Sequence, residues 1–194
     1  RQFPQCSALL DKITFNYVGS LQRWKGIDKF LEYISYYTKE RGLDVDVNIV
    51  GDGPLREDIE MMSLPEGVNL NMIGYCNNPY GILNPNGIHV VPSLEEGFGM
   101  VAVEAVQNGS VILHTDIPAL NEVLFGDEYA YSYMPNNYLS FCNALDSLLK
   151  DVSIPPTRNL LIKRSEKARL RFGMNSFIKR YTSILANNIR TFHE

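Results

Sequence analysis

The sequence predicts an α/β fold: a doubly wound, mostly parallel, Rossmann-like sheet with a C-terminal helical extension. Three observations lead there. Strand-like apolar runs alternate with helical ones through the first two thirds of the chain, the pattern of a parallel sheet covered on both faces by its crossover helices. The glycines, lysines and acids that stand out fall just after strand-like runs, at the carboxyl ends where such sheets bind ligands. The last third reads as helix alone. With 194 residues and 45% hydrophobic content the chain has the size and apolar mass of one domain.

Taken in order, strand-like runs lie at residues 14–18, 45–50, 68–73, 88–91 and 111–114, with a shorter sixth at 129–131. Between them the apolar spacing predicts helices over 27–41, 55–62, 80–83, 100–108 and 119–124. A helix over 138–150 follows, then the breaker Pro155-Pro156, then helix to about residue 188. Residues 1–12 read as a linker from an N-terminal domain outside this chain, which begins with Arg1, and residues 13–194 as one domain. No internal repeat or low-complexity tract interrupts them.

Composition narrows the function classes. A net charge of -4 argues against nucleic-acid binding, which leaves a basic footprint. Cys6, Cys76 and Cys142 are scattered and form no C-x-x-C pair. That favours a reduced, cytoplasmic protein without a metal site. No apolar run approaches the roughly 20 residues that span a bilayer.

The most informative passage is Glu96-Gly97-Phe98-Gly99-Met100-Val101-Ala102-Val103-Glu104. It follows a strand-like run closed by Pro92 and Ser93, so the first glutamate falls in a loop and the second within the helix that the glycines open. A helix start of this kind presents unpaired N–H groups and the positive end of the dipole, which suits a phosphate or diphosphate. Glu104 lies about 8 Å deeper along the axis, and its side chain leans back toward the helix start. Carboxylates accept sugar hydroxyls better than they accept phosphates. The combination points to a nucleotide-sugar, with the diphosphate at the helix end and a hydroxyl-bearing ring on each side. Spacing alone favours a loop acid and a solvated helix acid; the match of other segments in order reverses that.

The passage resembles the E-x7-E motif in the C-terminal, donor-binding domain of retaining glycosyltransferases with the GT-B fold, particularly glycosyltransferase family 4 (group 1). Other segments match that family in order from about residue 13 to 150. Gly19-Ser20-Leu21-Gln22-Arg23-Trp24-Lys25-Gly26 is similar to its "VGR…KG" signature. Ser20, however, stands where an arginine is expected, and a serine cannot replace that bidentate phosphate donor. Arg23 is the candidate to reach round from the same loop. Ile49-Val50-Gly51-Asp52-Gly53-Pro54 resembles the "vGdGp" turn, read here as structural, with the proline in the first turn of a helix. Gly74 and Tyr75 resemble the segment that meets the nucleobase. Ala105, Gly109 and 118–122 continue the match, with Gln107 and Val111 as minor departures.

The resemblance implies one half of a GT-B enzyme that moves a sugar from a nucleoside diphosphate to a saccharide or lipid-linked acceptor with retention. It implies Lys25 and Glu96 in catalysis. Lys25 and the N–H groups of Gly97, Phe98, Gly99 and Met100 would stabilise the leaving diphosphate, Glu96 would orient the sugar and Glu104 would hold ribose hydroxyls. Gly19, Ser20, Arg23, Gly74 and Tyr75 complete the implied donor site. No cofactor or metal is implied, since the nucleotide-sugar is the substrate. The acceptor would be held by the N-terminal domain, with possible contact at the cytoplasmic face of a membrane, and the fragment alone would transfer little. The alternative is a non-catalytic module that binds nucleotide-sugar or docks a partner. A receiver or NAD-binding domain fits less well, because the first strand ends in neither an acidic pair nor G-x-G-x-x-G.

Overall fold

The apolar runs become six strands: β1 (Ile13–Val18), β2 (Val45–Val50), β3 (Val68–Gly74), β4 (Ile88–Val91), β5 (Ile112–Thr115) and β6 (Ala130–Tyr133). In this computed structural model, which describes residues 12–152 and 158–173, they form one sheet in the order β3-β2-β1-β4-β5-β6. Every pairing is parallel. The chain winds outward from β1 to β3, returns to the middle and winds outward again from β4 to β6. The order therefore reverses between β1 and β4, and a crevice opens beyond their carboxyl ends.

Helices α1 (Ile27–Arg41), α2 (Arg56–Glu60) and α5 (Tyr138–Val152) serve one face of the sheet, while α3 (Met100–Gln107), α4 (Pro118–Val123) and α6 (Arg158–Phe172) serve the other. α1 is delimited by glycines: Gly26 and Gly42 both take left-handed backbone, and the Gly42 N–H donates to the Thr38 carbonyl. Its inward stripe of Ile27, Phe30, Leu31, Ile34 and Tyr37 is buried at helical spacing. Phe141 of α5 is fully buried among aromatic rings, with centroids 5.3 Å from Tyr133, 5.4 Å from Tyr33 and 6.0 Å from Phe30. Asp146 clasps the two helices, accepting from the Tyr37 hydroxyl at 2.6 Å and from Arg41 Nη2 at 2.9 Å.

On the other face the small residues Ala102 and Ala105 let α3 lie close on Val91 and Ile112, and Ala168 of α6 joins that cluster. Ser165 Oγ donates to the Gln107 carbonyl, tying α6 to the end of α3.

The predicted architecture is borne out, with local corrections. The helix expected over 55–62 is confined to Arg56–Glu60, with Leu55 as its N-cap and Met61 as its C-cap, so that Pro54 precedes the helix rather than opening it; the Leu55 N–H, which a helix start leaves without an intrahelical acceptor, donates to the Leu21 carbonyl at 3.0 Å. The helix expected over 80–83 is a 3-10 turn, Pro79–Gly81, and the sixth strand is shifted and longer at Ala130–Tyr133. Covering of both sheet faces is incomplete. Among the described residues, Asn69 and Asn71 of β3 are exposed on the face opposite α1. There an asparagine ladder replaces apolar packing: Asn71 donates to Asn48 at 3.2 Å and Asn48 to Asn16 at 3.1 Å. Pro155-Pro156 and the helix expected beyond residue 173 lie outside the described residues.

Candidate functional site

The site grows from two loops that the strand order brings together. After β1 the chain runs through Gly19, whose N–H donates to Val50, and is anchored by the fully buried Leu21. It then makes a 3-10 turn, Arg23–Lys25, ending at Gly26. The buried Tyr17 hydroxyl donates to the Ser20 carbonyl at 2.8 Å and fixes the start of this loop. After β4, Pro92 and Ser93 are buried and Leu94 turns outward. The Leu94 N–H donates to the Trp24 carbonyl at 2.7 Å, joining the two loops. Thr115 at the end of β5 donates to the Ser93 carbonyl, bracing the second loop from its other side.

This joint sets Lys25 against Glu96. Lys25 Nζ lies 2.5 Å from Glu96 Oε1, and Ser93 Oγ donates to the same oxygen at 2.9 Å. The side chains are 21% and 10% exposed, so the pair is sheltered but reachable. Burial first, then the Glu96 and Asp28 charges, push the Tyr17 phenol well above its ordinary range, keeping it a neutral donor.

Beyond Glu96 the backbone turns through Gly97 and Phe98 to Gly99, whose φ of 82° is left-handed, and α3 begins at Met100. A Cβ on Gly97 would meet nothing within 4 Å, whereas one on Gly99 would strike Leu120 Cδ2 at 2.8 Å. Gly97 therefore borders open space, and Gly99 is demanded by its left-handed backbone. The first backbone donors of this stretch to find a main-chain acceptor are Ala102 and Val103, both onto the Gly99 carbonyl. The N–H groups before them form a small positive pole beside Lys25 and Glu96. Glu104 is half-buried one turn further on. Tyr80 packs near it: the Tyr80 hydroxyl donates to the Val101 carbonyl at 3.2 Å and the ring stacks on His89, centroids 5.7 Å apart. Burial and then the Glu104 charge raise the Tyr80 phenol well above its ordinary range.

Residues 2–168 match the family model described as "Glycosyl transferases group 1". The chain belongs to this family of glycosyltransferases. Among curated relatives it is 21% identical over 152 residues to the capsular polysaccharide biosynthesis glycosyltransferase CapM of Staphylococcus aureus, covering 77% of this chain and 40% of CapM. Among solved structures, Anabaena HepE in complex with UDP and glucose superposes with a TM-score of 0.68 at 17% identity, covering 90% of this chain and 48% of HepE. Sucrose-phosphate synthase from Thermosynechococcus elongatus gives 0.69 at 20% identity, covering 96% of this chain and 48% of that protein. The chain thus spans less than half the length of these proteins, and the fold is that of a GT-B glycosyltransferase domain.

Within this glycosyltransferase domain the expected site residues fall into two groups. Lys25 and Glu96 meet at the β1/β4 crevice, Gly97 and Gly99 lead from there into α3, and Glu104 lies within that helix near Tyr80, with Gly19 and the exposed Ser20 and Arg23 on the first loop. Phe98 and Met100 are exposed at its rim, 49% and 57%, and the Phe98 ring meets Phe172 edge-on at 6.1 Å. Gly74 and Tyr75 end β3, at the same end of the sheet but two strands from β1. Tyr75 is 78% exposed, and its hydroxyl donates to Asn77.

Ser93, Tyr17 and Tyr80 are site neighbours that sequence reading passed over. Ser93 carried one signal, its position three residues before Glu96 at a strand end. The tyrosines carried none: Tyr80 finds its acceptor on α3, and Tyr17, although its acceptor Ser20 is three residues on, nears Glu96 only through the strand order. His89 and His114 are buried in strands, and burial lowers both imidazoles, His89 to about 4. Among the described residues no cluster of three or more metal-ligating side chains occurs, and no helix is long and apolar enough to cross a membrane. A cavity of about 230 Å³ bordered by Val106, Val123, Phe125, Lys167 and Arg171 shares no lining residue with the Lys25–Glu96 site.

Proposed function

We propose that the chain is the donor-binding half of a retaining glycosyltransferase that moves a hexose-type sugar from a nucleoside diphosphate to a saccharide or lipid-linked acceptor. The observation that carries this reading is the Lys25–Glu96 contact at the strand-order reversal, beside the unpaired N–H groups that open α3. One cation and a helix pole for a diphosphate stand next to a carboxylate for hydroxyls, with Glu104 a turn deeper.

In the reaction the bond from the anomeric carbon to the diphosphate oxygen breaks and its electron pair stays on that oxygen. The acceptor hydroxyl oxygen bonds the same carbon from the same face, and its proton passes to the departing phosphate. Lys25 and the N–H groups of Gly97, Phe98, Gly99 and Met100 stabilise the negative charge as it develops, the logic of an oxyanion hole. Glu96 accepts from sugar hydroxyls and fixes the ring. Glu104 accepts from the ribose hydroxyls. Gly74 and Tyr75 border the nucleobase, and Gly19, Ser20 and Arg23 line the phosphate side. No step here runs through a metal or cofactor.

The relatives' greater length supports placing the acceptor on a separate N-terminal domain. On this reading the 194-residue chain alone binds donor weakly and transfers little, the whole protein works in the cytoplasm or at the cytoplasmic face of a membrane, and nucleic acid is not a partner. A second reading, a non-catalytic nucleotide-sugar or docking module, draws on two observations. The position expected to hold a phosphate-gripping arginine is the exposed Ser20, and Lys25 is already engaged by Glu96.

Calorimetric titration with UDP, GDP and ADP, each with and without sugar, tests the proposal. Saturable binding of one nucleotide, weakened by Lys25→Ala and Glu104→Ala, supports it, and transfer by the full-length protein excludes the docking module. Absence of both binding and transfer in folded full-length protein overturns it.

A further inference from the structure

Resting on the reading above, we propose that the Lys25–Glu96 pair discriminates against free nucleoside diphosphate, so that the site favours the sugar-bearing donor and expels the spent nucleotide. The two charges neutralise each other at 2.5 Å before any ligand arrives. A diphosphate that approaches Lys25 must therefore share it with a carboxylate or displace that carboxylate.

Displacement is resisted. Glu96 Oε1 is held twice, by Lys25 Nζ and by Ser93 Oγ at 2.9 Å. Ser93 is itself buried and its carbonyl accepts from Thr115, so the second hold does not swing away with the lysine. Glu96 thus stays beside the incoming phosphate as a fixed like charge, and the phosphate gains only part of the Lys25 charge.

A sugar on the diphosphate changes the balance. The second carboxylate oxygen, Oε2, has no protein partner among the described residues and is not sealed from solvent, and the neighbouring Gly97 borders open space. Hydroxyls on a pyranose ring can donate to it, a charge-assisted contact stronger than a neutral one. Free diphosphate carries repulsion without this compensation. Once the sugar has left, the same carboxylate weakens the hold on the product.

The substitution that tests this has an unusual sign: loss of a site carboxylate should tighten a ligand. In the full-length protein, Glu96→Gln keeps the size of the side chain and removes its charge. UDP, GDP and ADP, with UDP-glucose, GDP-mannose and ADP-glucose as sugar-bearing probes, are titrated into wild type, Glu96→Gln, Glu96→Ala and Lys25→Ala, each checked for folding by circular dichroism. The expected result is that the nucleoside diphosphate which wild type binds is held about fivefold to tenfold more tightly by Glu96→Gln, on the scale of one partly buried ion pair. The preference for its sugar-bearing form should shrink or reverse. Glu96→Ala should shift free nucleotide in the same direction, which secures the test should the glutamine variant fail to fold.

If Lys25→Ala weakens nucleotide binding while both Glu96 variants leave it unchanged or weaker, the discrimination is overturned and the donor site stands. If folded wild type binds none of the six ligands and transfers no sugar, the donor-site reading falls and the discrimination with it.

Discussion

Gly26 lies so close to Pro92 that a Cβ added to it would sit 2.1 Å from the Pro92 carbonyl oxygen, and its φ of 66° is left-handed. The loop after β1 and the loop after β4 are thus in backbone contact at the point where the strand order reverses. Only a residue without a side chain allows Trp24 to accept from Leu94 and Lys25 to meet Glu96.

Gly26→Ala should separate these loops. The left-handed conformation alone costs about 1–2 kcal/mol with a Cβ present, and the clash adds to it. Urea denaturation should show the loss, and nucleotide binding should fall further than global stability does, because the displaced element carries Lys25. Equal stability and binding to wild type would contradict the geometry.

Phe141→Ala should be among the most damaging single substitutions in the domain. Its ring is fully buried and touches those of Phe30, Tyr33, Tyr37 and Tyr133. Truncation removes this contact and leaves a cavity, for a loss of about 3–5 kcal/mol in chemical denaturation.

Glu104→Ala separates function from stability. The side chain is half-buried and lacks a hydrogen-bond partner among the described residues, so stability should stay within about 0.5 kcal/mol. Nucleotide affinity should drop about tenfold or more, the scale of one hydrogen bond to a charged acceptor. Calorimetry on the folded variant reads this directly.

His89 makes stability pH-dependent. It is 1% exposed, its Nε2 has no partner, and burial lowers its pKa to about 4. The folded state thus resists a proton that the unfolded chain accepts near its ordinary pKa of about 6.5. This contribution is fully present above that value and is lost as pH falls toward 4. Between pH 7 and pH 5 the stability of wild type relative to His89→Phe should fall by about 2 kcal/mol. A pH-independent difference between the two would contradict the burial. Comparing the two proteins cancels the parallel contribution of His114.

Tyr80→Phe keeps the ring on His89 and removes only the hydroxyl bond to the Val101 carbonyl. A loss of about 1 kcal/mol is expected, read as a lowered melting temperature.

The chain's own order of residues determined the α/β class, the strand and helix sequence, and the two glutamates around a glycine-opened helix. Those features are local. Apolar period and the backbone freedom of glycine are written within a few residues of where they act, which is why 27–41 and 45–50 match α1 and β2 residue for residue. Only the tertiary structure decided what faces what. Lys25 and Glu96 are 71 residues apart, and nothing in either segment says that β1 and β4 are neighbours. Their contact follows from the strand order, as does the asparagine ladder across β1, β2 and β3 that leaves part of one sheet face open. The same holds for Leu55 at a helix start, whose otherwise unpaired N–H is satisfied by the Leu21 carbonyl. Local pattern fixes each element because its interactions lie within a turn or two of chain; the site depends on which strands pair, and that is settled by burial summed over the whole domain.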